Sequence, residues 1–176
     1  MAKITIFGLA GTGTTSVGKI LAGDMGYQFL SSGNIFRKMA EENKMTLGEF
    51  EDLCKKEHKF DLELDQRIKK FGEENDNFII ESRLAWHFIP DSVKIKLDCD
   101  FDTRINRIAN REAIFFETAK EHTVFREDAI FERYKNYYGI DDFSDKNFDF
   151  TIDTTNIQIP VVVKNIENFL KTSFFL

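Results

Sequence analysis

Apolar residues follow two rhythms along this chain, and the places where the rhythm changes mark out its elements. Ile4, Ile6 and Phe7 form a first short run of strand-forming residues, and residues 27–30 form a second. In 77–81 the apolar residues Phe78, Ile79 and Ile80 are continuous, as expected of a strand covered on both faces. In 93–98, Val93, Ile95 and Leu97 alternate with Lys94 and Lys96, which predicts a strand with one exposed face, placed nearer an edge of its sheet. A last strand is predicted over 148–153.

Between these runs the spacing becomes helical. Val17, Ile20, Leu21 and Met25 stripe a helix that stops near Gly26, and Ile35, Phe36 and Met39 stripe the next. Thr46 with Glu49 is a capping box opening a helix to about residue 56. Leu62, Leu64, Ile68 and Phe71 mark a helix over 61–75. Two more polar helices are expected over 101–111 and 117–138, and Val162, Ile166, Phe169 and Leu170 face inward from a final one over 159–172. Right-handed crossovers turn this order into an α/β fold, a five-stranded parallel sheet with helices on both faces. The three successive helices of 31–75 are an insertion over the carboxyl ends of the strands, where ligands bind in such folds.

A chain of 176 residues with 42% hydrophobic content suits one domain, 1–176, with a sizeable core, and nothing along it suggests a linker or a repeat. A net charge of −6 argues against nucleic acid or an anionic membrane as partner, and the apolar runs are too short to span a bilayer, so a cytoplasmic monomer is expected. Cys54 and Cys99 lack ligand-like spacing and are expected as reduced thiols. The apolar tail Phe174-Phe175-Leu176 has two readings, packing on the body or meeting a partner.

The chemistry begins in the stretch after the first strand. Gly8, Gly11 and Gly13 precede Thr14 and Thr15 at the opening of a helix, matching G-x-x-x-x-G-K-[ST] except that Thr14 stands in the lysine slot. Glycines turn backbone N–H groups inward and a helix N-terminus adds unpaired donors, so an anion is expected there, held by Gly8, Gly11, Thr12, Gly13, Thr14 and Thr15. Arg37, near the first turn of its helix, opposes the helix dipole and so calls for an anion of its own. Arg83 follows a strand end.

Five of the eight arginines, at 104, 107, 111, 126 and 133, fall in the two polar helices, and the first three share one helical face. Arginine forks bind phosphate bidentately, and phosphoryl transfer between two nucleotides needs this much positive charge. The plain alternative is a solvated face paired with Glu112, Glu127, Asp128 and Glu132. Glu81, at a strand end, is a candidate to hold water around Mg²⁺ with the Thr15 hydroxyl. Asp61, Asp65 and Arg67 are candidates for reading a base, since a carboxylate accepts from an exocyclic amine.

GLAGTGTTSVGK, FLSSGNIFRKMAEENKMTLGEF, EHKFDLELDQRI, IIESRLAWHF, RINRIANRE, FREDAIFERYKNYYGID and FDFTIDTT, in this order, resemble the short, archaeal-type cytidylate kinases. The resemblance implies the three-layer P-loop nucleoside monophosphate kinase fold, with 31–75 as acceptor-binding insertion and about 112–126 as a small lid. It implies ATP and CMP or dCMP as substrates, with Mg²⁺. It also implies that Arg37 and Arg83 grip the acceptor phosphate, with Asn34 beside them, and that Arg107, Arg111, Arg126 and Arg133 belong to the lid and its flanks. Asn34 stands where family members carry aspartate, and Ser82 where they carry glycine. Kinases of AMP or UMP, and a nucleotide-binding regulator without turnover, are the alternatives.

Overall fold

The computed structural model describes residues 2–174. Its centre is a five-stranded sheet in the order β2-β3-β1-β4-β5, formed by β1 (Lys3–Gly8), β2 (Gln28–Ser31), β3 (Phe78–Glu81), β4 (Val93–Asp98) and β5 (Phe150–Asp153). Every neighbouring pair is parallel. Parallel strands require crossovers, and helices supply most of them: α1 (Thr14–Met25), α2 (Ser32–Glu42), α3 (Leu47–Lys56), α4 (Lys59–Glu74), the one-turn α5 (Ala85–Phe88), α6 (Phe101–Glu112), α7 (Phe116–Tyr138) and α8 (Ile159–Phe174). The one-turn α5 and a 3-10 turn at Asp145–Asn147 are the elements that periodicity did not foresee, both being too short to show a period.

The alternating burial of the strands splits the core in two. Ile4, Ile6, Ile79, Ile95 and Leu97 face Val17 and Leu21 of α1 and Val162, Ile166 and Leu170 of α8. Phe78 and Ile80 face the other way, onto Ile35 and Met39 of α2, Phe50 of α3, and Phe60 and Ile68 of α4. Phe78, Ile79 and Ile80 are each fully buried, so the continuous run does mark a strand covered on both faces. The capping box at Thr46 forms, with Thr46 N donating to Glu49 Oε2 at 2.8 Å and Glu49 N to Thr46 Oγ1 at 3.4 Å.

Two expectations are corrected. β4 is an interior strand between β1 and β5, and its lysine face is not open to water. The Lys96 side chain is only 12% exposed, held by Asp98 and Asp145 at 3.1 and 2.9 Å, and lies over the Phe148 ring. A long aliphatic stem lets lysine line a covered face while its ammonium finds carboxylates at the rim, so alternation with lysine does not identify an edge. Arg37 is also deeper in its helix than expected. α2 starts at Ser32, which puts Arg37 in the second turn, where the dipole has faded. Cys54 is buried and Cys99 half-buried. Phe175 and Leu176 lie outside the described residues, and with them the two readings of the tail.

Candidate active site

The loop from β1 to α1 folds as a cradle whose shape depends on two glycines. A Cβ on Gly8 would lie 2.4 Å from Thr12 Oγ1 and 2.5 Å from Thr14 Cγ2. Gly11 has φ +88°, and a Cβ there would meet the Arg104 carbonyl oxygen at 2.7 Å. No larger residue suits either place. Thr12 closes the turn with its hydroxyl on Leu9 O at 2.8 Å, and Thr154 Oγ1 donates to Thr12 O at 2.9 Å from the end of β5. α1 then begins after Gly13 with no side-chain cap among the described residues and no acidic residue in its first turn. Its leading N–H groups are therefore open to an anion.

Thr14, in the lysine slot, is buried and donates its hydroxyl to Glu81 Oε1 at 3.3 Å; Thr15 donates to Glu81 Oε2 at 3.2 Å. Register explains the meeting, because Glu81 ends β3 opposite Ile6 of β1, two residues before the cradle opens. Among the described residues no group of three or more His, Cys, Asp and Glu is placed to hold a metal alone. Thr15 and Glu81 do fit Mg²⁺, which takes hard oxygen ligands and completes its octahedron with water and substrate phosphate.

A cavity of about 950 Å³ opens over the cradle, at the upper end of the range for ligand sites. The loop from Gly8 to Val17 and Glu81 line it, together with Ser32, Gly33 and Arg37 from α2. Arg83, Arg107, Arg111 and Arg126 join them, as does the segment after β5 that carries Thr154, Ile157 and Gln158. Five expected arginines thus share one cavity although they are spread over 90 residues of chain.

Their environments differ. Arg37 Nη2 donates to Asn34 Oδ1 at 2.6 Å, which places Asn34 beside the cavity as the arginine's partner. Arg83 lines the cavity with a buried Nε that has no hydrogen-bond partner among the described residues, as has Arg133, which does not line it. Arg107 is tied to carbonyl oxygens, Gly11 O at 3.2 Å and Thr154 O at 2.8 Å, so it also joins the cradle to the segment after β5. Arg111 is largely exposed and bonded to Glu112 at 2.8 Å.

The remaining expected residues are gathered elsewhere. Arg133 pairs with Asp61, Tyr138 donates to Asp65 Oδ2 at 2.7 Å, and Arg67 reaches Glu42 and Glu63 at 2.5 and 2.6 Å. None of Asp61, Asp65, Arg67 and Arg133 lines the large cavity; they form a polar seam between α4 and α7 and between α4 and α2. Burial pushes the Asp65 carboxyl up to about 6, against the opposing pull of the Tyr138 hydroxyl and Arg133. Burial and the neighbouring Asp65 raise the Tyr138 phenol well above its ordinary range.

Sequence reasoning missed Thr154 and the segment behind it. The available signal was their place directly after a strand's carboxyl end. It named Glu127 as a partner for the arginines of α6 and α7 only on a solvated face, and so missed that Arg104, on the same helical face as Arg107 and Arg111, is buried against it.

Residues 3–156 match the cytidylate kinase-like family. The chain is 38% identical over 151 residues to a cytidylate kinase of Methanothermobacter thermautotrophicus, covering 86% of this chain and 94% of that one. It is 36% identical over 168 residues to a cytidylate kinase of Methanobrevibacter smithii, covering 96% and 98%. Among solved structures, shikimate kinase from Bacteroides thetaiotaomicron superposes with a TM-score of 0.66 over 97% of this chain and 98% of that one, at 16% identity, a likeness of fold.

Proposed function

The chain belongs to the cytidylate kinase-like family, and from that premise we propose that it transfers the γ-phosphoryl group of ATP to CMP or dCMP, giving ADP and the nucleoside diphosphate. The observation that carries the reading at this site is the single cavity in which the glycine cradle, Glu81 and five arginines meet. The cradle's amides and the start of α1 receive the donor phosphates, while Arg37 and Arg83 hold the acceptor phosphate, with Asn34 orienting Arg37. Arg107, Arg111 and Arg126 lie where negative charge spreads as the phosphoryl group moves.

One acceptor phosphate oxygen forms the new bond to the γ-phosphorus as the bond to the bridging oxygen of ADP breaks. That oxygen is already ionised at neutral pH, since the second pKa of a phosphate monoester is about 6, and no general base is required. Mg²⁺, held by Thr15 and Glu81, would neutralise charge on the donor phosphates. Helices α2 to α4 frame the base, with Asp61, Asp65 and Arg67 fixing them through Arg133, Tyr138, Glu42 and Glu63.

Residues 112–126 serve as the lid, running from the end of α6 at Ala113, φ 53°, into the start of α7, and carrying Phe115 and Phe125, 86% and 78% exposed. Closure excludes water from the reacting phosphates. The test is ADP release with Mg·ATP over a panel of CMP, dCMP, UMP and AMP. The cytidine nucleotides are expected to be turned over best, and no turnover with any of the four overturns the reading.

A further inference from the structure

Arg104 is the arginine of α6 that does not line the cavity, and its side chain is buried and held at both ends of its fork. Its guanidinium forks onto Glu127 of α7, Nη1 to Oε1 at 2.7 Å and Nη2 to Oε2 at 3.3 Å, with both residues buried at 5% and 9% exposure. Nη1 also donates to Ala10 O at 3.1 Å, in the cradle itself. Its own backbone is the surface against which Gly11 packs, too close for any Cβ. One residue therefore grips positions 10 and 11 of the cradle from two directions and, through Glu127, holds α7. Glu127 is the neighbour of Arg126, an exposed residue that lines the cavity, so the same grip sets the rotation of α7 that keeps Arg126 at the cavity.

A buried ion pair is a poor choice for stability, because apolar residues of similar volume hold two helices together at least as well. It does supply direction, through a planar fork with three acceptor positions and one fitting geometry. We propose that the Arg104–Glu127 pair is a positioning clamp, locking the phosphate cradle and the Arg126-bearing helix in one register for phosphoryl transfer. The proposal rests on the kinase reading and adds to it a pair that touches no substrate.

The double variant Arg104→Met/Glu127→Leu tests it. It removes one charge of each sign, so the net field at the cavity is kept, and it fills the buried volume. The folded double variant is expected to lose at least about tenfold in kcat while KM for CMP changes less than about threefold, since the clamp contacts the cradle and α7 and none of the groups proposed to hold CMP. A folded variant with kcat within about twofold of wild type overturns the clamp. Should the double variant not fold, Arg104→Lys decides. A single ammonium cannot reproduce the fork, so a kcat loss of about threefold or more at unchanged KM is expected, and wild-type kcat overturns the clamp.

If the wild-type protein turns over no monophosphate, the kinase reading fails while the clamp stays testable. Calorimetric affinity for inorganic tripolyphosphate should then fall about tenfold in the double variant, or in Arg104→Lys where that fold is missing, and an unchanged affinity overturns the clamp.

Discussion

Thr14 occupies the place where a lysine would bring positive charge to the phosphates, and its hydroxyl is already engaged with Glu81 at 3.3 Å. The charge in this cavity comes instead from side chains far off in the sequence, Arg37, Arg83, Arg107, Arg111 and Arg126. This division of labour has a measurable ranking. Arg37→Ala and Arg83→Ala are each expected to lower kcat by at least about 100-fold, as loss of a donor aimed at transferring charge does, whereas Thr14→Ala should lower it by less than about tenfold. Steady-state kinetics of the three variants checks the order, and the reverse order refutes it. The cradle itself was legible from its glycines alone, because close backbone approach and a positive φ leave few other residues to stand there. From its own residues Arg83 was legible as a strand-end arginine, and its acceptor role came from the resemblance; that its Nε is buried with no partner among the described residues depends on packing around it.

At the level of elements, a polar seam joins α4 to α7. Asp65 lies in it, buried, beside the Tyr138 hydroxyl and facing Arg133 and Asp61. Its carboxyl is raised to about 6 from an ordinary 3.8, so the folded state favours the protonated form. The stability this contributes is complete below pH of about 4 and is lost as pH rises through about 6. Asp65→Asn keeps an acceptor for Tyr138 without a buried charge. The stability of Asp65→Asn relative to wild type should therefore improve by about 1.4 kcal/mol between pH 5 and pH 8, read from urea unfolding at the two values. An equal difference at both values rules this out.

Of the seam's helices, α2 and α4 were legible from apolar spacing and α7 as a polar helix with arginines at helical spacing, since such signals are local. Which of their charged residues would meet was not. Arg133 and Asp61 are 72 residues apart, and no periodicity connects two helices that distant.

Taken whole, the molecule is one sheet with α1 and α8 on one face and α2 to α5 on the other, and the cavity opens where the carboxyl ends of β1 and β3 bring the cradle and Glu81 together. Ligands that bridge the cradle, α2 and α6 to α7 should stabilise all of these at once. A non-hydrolysable ATP analogue with CMP, each at about 100 times its Kd, is expected to raise Tm by about 5 °C or more, and differential scanning fluorimetry would show it. Each ligand alone should raise Tm less, and no rise with the pair would contradict a shared cavity.

The order of strands and helices, the parallel sheet and the phosphate cradle were determined by the sequence itself. The elements and the cradle rest on contacts within a few residues, where spacing, glycine and caps restrict the backbone, and the sheet, whose first and third strands pair Lys3 with Phe78, follows from the order of the elements through the crossover rule. The fate of the arginines on α6 was decided only by the tertiary structure. Arg104, Arg107 and Arg111 share a helical face, yet from first to last they are separated by about 10 Å along the axis. Each therefore meets a different neighbour: the first Glu127 and the cradle's backbone, the second the carbonyl oxygens of Gly11 and Thr154, the third Glu112 at the cavity's rim. Spacing sets the direction in which a side chain leaves its helix, and the fold sets what stands there to receive it.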